Sequence, residues 1–407
     1  MAIKFRLFII LSIFISVLFD LLSSQESISL KKALSIANEK NAKVISARKD
    51  IEAAKSKHIQ AGAYANPSIE FQAPNVTDID MSSYELSLSQ ELEIFGKRTK
   101  RKDIAEDLIS IAGEQLKSVW LDVALEVKEK YYELLLIQKR SEIAKENLNL
   151  VRRLLDSVQV KYQSGSIYLN ELLRAKIELS QAENELILTE REMKVAKSQF
   201  NLLLGESVSN EYKIEENIFY QEKKMDYETI KSKALSRNPD LKFRIAMVRM
   251  SNKERNLARL DTLPNPTVGL IFSREERSPK PLGASLEFSI PIWYRNSGEI
   301  KEKEINTEKA ENDVDYFRRQ LELNIYDVFI EAESAGKQVE IFKKSVDESV
   351  EIQNLIDLQY KEGKANFLTY LDNVKTVRNV KLNYFEAITN YENKIAMMER
   401  VIGEEIE

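Results

Sequence analysis

The chain has 407 residues, 60 of them basic and 65 acidic, with one histidine and no cysteine. Disulfides, thiolate metal sites and lipid attachment through an N-terminal cysteine are therefore excluded. A formal net charge of −5, with no concentrated basic stripe, leaves no overall attraction to nucleic acid.

Lys4 and Arg6 precede an apolar run from Leu7 to Phe19, interrupted by Asp20 and followed by Leu21-Leu22-Ser23-Ser24. The run is shorter than the roughly 18 apolar residues of a membrane-spanning helix and has the charged start of a secretory signal. Residues 1–24 are read as that signal, and no later segment approaches spanning-helix length. A helix then leads to Asn41, and the single histidine, His58, falls on an amphipathic helix as a surface residue. In 67–73, Ile69 and Phe71 flank Glu70. In 83–95, Tyr84, Leu86, Leu88, Leu92 and Ile94 alternate with Glu85, Ser87, Ser89, Glu91 and Glu93. A period of two predicts two strands.

From 75 to 238 there is no proline, so nothing interrupts a helix over about 97–162. At 1.5 Å per residue it would extend on the order of 100 Å. Gly165 marks a turn, and Leu172, Ala175, Leu179, Ala182, Leu186, Thr189, Met193, Ala196, Phe200 and Leu203 then step by three and four residues. Such a repeat keeps its apolar seam on one face only if helices wind around each other, which predicts a coiled-coil helix over 168–204. Residues 207–225 read as a linker.

The pattern then begins again. Asn238 stands 197 residues after Asn41, Asn265-Pro266 stands 199 after Asn66-Pro67, and Leu286 stands 200 after Leu86. Gly363 follows Gly165 by 198, and Gly403 follows Gly205 by 198. A register held over such a distance is a duplication. The first copy occupies 25–206 and the second 226–407, with strands over 266–273 and 283–293 and helices over 297–360 and 366–402. Four strands with one polar and one apolar face fit either a small sheet capping a helical bundle or part of a transmembrane barrel. Four cannot close a barrel in lipid, where an open edge leaves backbone groups unpaired, whereas three copies would supply twelve.

The duplicated order of helix, Asn-Pro strand, strand, long helix, glycine turn and heptad helix resembles the TolC family of outer membrane efflux proteins. The segment Leu86–Arg101, with Phe95-Gly96-Lys97-Arg98, is similar to the subgroup serving cobalt–zinc–cadmium pumps. The resemblance implies a mainly α fold with a membrane β-barrel portion. Four strands per chain would enter a twelve-stranded barrel in the outer membrane, above a coiled-coil tunnel of helices in the periplasm. It implies a homotrimer in outer-membrane lipid, partnered by a periplasmic adaptor (a membrane fusion protein) and an inner-membrane pump of the resistance-nodulation-division type. The alternatives are a type I protein-secretion duct and a non-pore periplasmic coiled-coil protein.

The resemblance also places Gly165 and Gly363 at the periplasmic tip, with Tyr162, Leu169 and Phe367 as neighbouring adaptor-docking positions. Tyr360 matches a tyrosine that latches the closed tip, Asn170 and Glu171 occupy its partners' positions, and the companion arginine falls on Ala365. Two family aspartates at the narrowest point fall on Thr369 and Asp372, so one carboxylate is kept. Three such carboxylates around an axis would favour cations. With no cysteine and one histidine, no cofactor and no dedicated metal site are expected, and no nucleophile–base pair indicates an enzyme.

Overall fold

A computed structural model describes residues 27–73, 84–210, 212–214, 218–224, 226–274 and 282–406. The expected signal peptide at 1–24 lies outside them. The chain divides into two compact units, one formed from residues up to 45, 120–232 and 324–407, the other from 46–119 and 233–323.

In chain order the elements are β1 (Ser27–Ile28), α1 (Leu30–Lys40), α2 (Ala42–Ala61), β2 (Ser68–Gln72), β3 (Tyr84–Glu91), α3 (Lys97–Gln163) and α4 (Leu169–Leu203). The second copy follows as β4 (Lys213–Ile214), α5 (Tyr227–Arg237), α6 (Pro239–Leu260), β5 (Thr267–Arg274), β6 (Leu282–Glu287), α7 (Ser297–Lys361) and α8 (Phe367–Ile402). No described helix is long and apolar enough to cross a membrane.

The second unit carries the sheet, in the order β2-β3-β5-β6, with every neighbouring pair antiparallel. Phe71, Leu86, Phe272 and Leu282 share one register row, and Ile69, Leu88, Leu270 and Ala284 another on the same face. Alternation puts Glu70, Ser87 and Gly283 on the opposite face. The apolar face is largely uncovered: Ile69 is 74 % exposed and Leu282 70 %. β6 stops at Glu287 instead of continuing to 293, although the apolar alternation persists to Ile292. Pro291 has no amide hydrogen, and the Ile292 amide donates to the Ile290 carbonyl at 2.9 Å in place of a ladder partner. β3 likewise ends at Glu91. The chain leaves it through two left-handed residues, Phe95 (φ 63°) and Gly96 (φ 73°), before α3 begins.

Beneath the sheet the same unit packs Ile111, Ala246 and Met250 with Ile104, Leu108, Phe243 and Met247. Buried Asp107 is held there by Arg249 at 2.7 Å and Lys253 at 2.6 Å, which offsets the cost of placing a carboxylate among apolar side chains.

The first unit holds the ends of the long helices. None of the ten seam residues of α4 is exposed, and Ala175, Ala182, Ala196 and Phe200 are fully buried. The repeat read from the sequence is the packing surface. β1 and β4 form a short parallel pair that the sequence did not signal. Both helix-to-helix connections after α3 and α7 close in the same way. Gly165 (φ 73°) donates to the Tyr162 carbonyl at 3.0 Å and Ser166 to that of Lys161 at 2.9 Å. Gly363 (φ 73°) donates to the Tyr360 carbonyl at 3.2 Å and Lys364 to that of Gln359 at 2.8 Å. These are glycine C-caps that satisfy the last carbonyls of each long helix.

Candidate functional site: the helical tip

The two glycine turns lie on one hydrophobic cluster of the first unit. Leu154 and Val158 of α3, Leu172 and Ala175 of α4, and Phe367, Tyr370, Leu371 and Val374 of α8 are buried together. Tyr360 and Ile356 of α7 pack against them. α8 enters this cluster through an N-cap: the Asn366 side chain accepts from the Thr369 amide at 2.9 Å and from the Thr369 hydroxyl at 3.1 Å. α4 has Tyr168 at the equivalent position, with no side-chain cap.

Tyr360 is the best-anchored of the expected residues. Its ring stacks on Tyr370 with centroids 4.6 Å apart and planes 27° apart, and Lys161 Nζ lies 4.3 Å from its centroid. Burial, and then the nearby Glu171 carboxylate, push the Tyr360 hydroxyl above the usual tyrosine range. Burial, followed by the charge of Asp357 and a hydrogen bond to it, pushes Tyr370 up to about 12. Asp357 also accepts from Gln353 at 2.7 Å. Tyr360, Tyr370 and Asp357 thus form a supported chain of two aromatics and an acid, and Glu171 of α4 is close enough to Tyr360 to be felt electrostatically.

Asn170 and Thr369 are exposed, as is Asp372. Asp372 shares a shallow groove with Arg174 and Lys375. Lys375 is itself ion-paired to Glu178, and Arg378 reaches Glu185 at 2.7 Å, so salt bridges tie α8 to α4 on either side of the groove. Tyr162 and Leu169 are exposed, 39 % and 51 %, beside Gly165. Phe367 differs: at 3 % exposure it fills the cluster and offers no surface for docking. As the first residue after the Asn366 cap, its side chain turns inward. The structure also adds residues that spacing alone did not single out. Tyr370 and Lys161 hold the Tyr360 ring from two sides, and Asp357 holds Tyr370. Tyr360 and Tyr370 lie on the two sides of the Gly363 turn, on α7 and α8, so their stacking is a contact between helices.

Among the described residues no group of His, Cys, Asp and Glu could hold a metal ion, and His58 is half-buried on α2.

A family model described as outer membrane efflux protein matches residues 33–206 and 230–404, both copies nearly end to end. The chain belongs to the outer membrane efflux protein family. It is accordingly a channel protein of the outer membrane. The cobalt-zinc-cadmium resistance protein CzcC of Cupriavidus metallidurans is 21 % identical over 92 % of this chain and 90 % of its own length. The CmeC outer membrane channel of Campylobacter jejuni superposes with a TM-score of 0.76 at 15 % identity, covering 93 % of this chain and 86 % of that one. The open-state MtrE outer membrane channel of Neisseria gonorrhoeae gives 0.77 at 16 % identity, over 93 % and 89 %. At these identities the solved structures establish the fold alone, a mainly α chain of the outer-membrane-channel type in which β2, β3, β5 and β6 correspond to barrel strands.

Proposed function

We propose that this efflux channel conducts divalent heavy-metal cations outward, as the outer-membrane component of an assembly with a periplasmic adaptor and an inner-membrane resistance-nodulation-division pump. The observation that carries this reading is the polar face of the sheet. Its register rows place Glu70, Glu85, Glu91 and Glu287 on that face, and no basic side chain of β2, β3, β5 or β6 shares it. The sole cation of these strands, Arg274, pairs with Tyr84 on the apolar face. With the apolar face toward lipid, the glutamates line the lumen, and three copies would bring twelve carboxylates to it. The cobalt-zinc-cadmium resistance protein is a relative over most of both chains, which supports the same cargo class. The chain offers no cysteine or histidine cluster for choosing among metals, so the selection falls to the pump.

At the tip we assign Asp372, with Thr369 one helical turn before it, to the constriction. The Tyr360–Tyr370 stack facing Glu171 is the element that holds the hairpins closed, and the exposed Tyr162, Gly165, Leu169 and Gly363 are the adaptor-facing surface. Reversal potentials across a salt gradient in planar bilayers test the cation reading. The wild-type channel is expected to prefer cations. Asp372→Asn should weaken that preference, and Glu70→Gln with Glu287→Gln should weaken it further. An anion-preferring or unselective wild-type pore would overturn the reading. The cargo is tested separately: deletion of the gene should sensitise cells to zinc, cobalt or cadmium ahead of organic drugs.

A further inference from the structure

The strand register brings four connecting segments to one end of the sheet: residues 62–67, 92–96, 261–266 and 288–296. Exposed aromatic side chains gather in them, with Tyr64 at 69 %, Phe95 at 53 %, Tyr294 at 56 % and Trp293 at 97 % exposure. This is also the end at which α3 and α7 begin, so in the family's architecture it faces the periplasm. Aromatic side chains at the end of a transmembrane sheet mark the lipid headgroup level.

α3 opens with Lys97, Arg98, Lys100, Arg101 and Lys102, and its first turn holds no acidic residue. Five cations therefore sit where the helix's own amides already carry positive partial charge. Three have carboxylate partners. Lys97 is nearly buried and reaches the Leu263 carbonyl at 2.6 Å and Asp261 at 3.7 Å, Lys100 lies 3.6 Å from Asp103, and Arg101 is forked onto Glu93. Arg98 and Lys102 make no ion pair among the described residues, although the Arg98 charge is felt at the Glu93 carboxylate. Arg98 donates from Nε to the Gly62 carbonyl at 2.6 Å and from Nη1 to the Tyr64 hydroxyl at 3.2 Å, and its guanidinium stands 4.2 Å from the Tyr64 ring centroid. All of these partners are neutral. Lys102, one turn further along α3, lays its stem against the same Gly62, its Cδ 3.4 Å from where a Cβ would stand. It makes no ion pair among the described residues.

We propose that Arg98 and Lys102, floored by Gly62 and flanked by Tyr64, bind the phosphate of an anionic phospholipid in the periplasm-facing leaflet. The inference rests on the outer-membrane placement given by the family, and is independent of what the channel conducts. A guanidinium presents paired donors that match two phosphate oxygens, and an ammonium one turn away adds a point charge. The exposed Tyr64, Phe95 and Trp293 supply the apolar contact that glycerol and acyl chains would take and that free phosphate would leave unused.

Native mass spectrometry of the detergent-solubilised trimer, titrated with phosphatidylglycerol or phosphatidylcholine, provides the test. Phosphatidylglycerol should be retained several-fold more than phosphatidylcholine, with the preference falling as salt is raised. Lys102→Gln should lower phosphatidylglycerol retention about five-fold, and Arg98→Gln with Lys102→Gln should abolish the preference. Lys343→Gln with Lys344→Gln, exposed cations elsewhere on α7, should leave it unchanged. Equal retention of the two lipids, or a preference surviving in the double variant, would overturn the proposal. Displacement of the lipid by millimolar inorganic phosphate would overturn it as well, by identifying a free-anion site. Because Arg98 also bonds the Gly62 carbonyl, Lys102→Gln alone keeps the test open should the double variant fail to trimerise. Unaltered single-channel conductance in Lys102→Gln would show that a loss of lipid binding leaves the channel reading intact.

Discussion

Individual side chains in this protein are set by their burial more than by their formal type. Glu392 on α8 illustrates the point. Burial raises its carboxyl above the usual range, outweighing the hydrogen bond from Tyr132 and the charges of Lys223 and Lys128. An acid whose folded value lies above its unfolded one binds more protons when folded. Stability therefore falls as pH rises from the ordinary carboxylate range toward the raised value, and the full cost remains at neutral pH. Glu392→Gln is expected to raise the thermal midpoint at pH 7.5, with the gain vanishing near pH 4. Circular dichroism melts at the two pH values would measure it, and an equal shift at both would discard the explanation. Asp372 is the opposite case: it is exposed, so the change expected from Asp372→Asn is in ion selectivity and not in stability. The place of Tyr360, three residues before Gly363 and within its turn, was legible from the sequence. What holds it was not, because Tyr370 and Lys161 approach it from α8 and α3, across a turn and a hairpin that no local spacing encodes.

At the scale of elements, the helices were the most readable part. A three-four repeat buries the same residues wherever the partner helix lies, so Leu172 to Phe200 could be assigned from periodicity alone. Strand ends were less readable, since alternation in Phe288, Ile290 and Ile292 continues past the last ladder bond and only Pro291 hints at the stop. An apolar residue beside a turn can face either way; Phe367, directly after the Asn366 cap, is buried. The capping glycines look interchangeable in sequence and differ in surroundings. Gly363 and Gly205 share a left-handed backbone, φ 73° and 74°. A Cβ on Gly363 would meet nothing within 4 Å, whereas one on Gly205 would stand 2.3 Å from the Lys40 carbonyl oxygen. Gly363→Ala should therefore cost only about 1–2 kcal/mol of backbone strain. Gly205→Ala should cost clearly more, because the α1–α2 junction has to move. There Asn41 bonds the Leu203 carbonyl at 2.7 Å and Lys40 pairs with Glu206 at 2.5 Å. Denaturant titrations of the two variants would compare them, and equal losses would contradict the packing argument.

For the whole molecule, the sheet sets the terms of assembly. Its outer strands, β2 and β6, each have one edge with no partner among the described residues. In hydrocarbon an open edge is untenable, so the barrel has to be closed by other copies. Its apolar rows then face lipid, and Leu270→Arg, placed in the middle of one, is expected to destabilise the trimer by about 2–4 kcal/mol. Loss of the heat-modifiable trimer on a gel, with Glu70→Arg on the other face tolerated, would be the matching result. Equal damage from both substitutions would reverse the assignment of the faces. A second apolar stripe on α4, including Leu173, Ile177, Ile187 and Leu202, is 50–68 % exposed in the single chain.

Those two unsatisfied strand edges have a genetic consequence. A pore whose wall is shared by three copies is only as sound as its worst member. Co-expression of a copy that pairs normally at one edge but is broken at the other should therefore be dominant, with intact pores declining as the third power of the sound fraction. At equal expression about one pore in eight would survive, a far steeper loss than halving the dose of a self-sufficient protein.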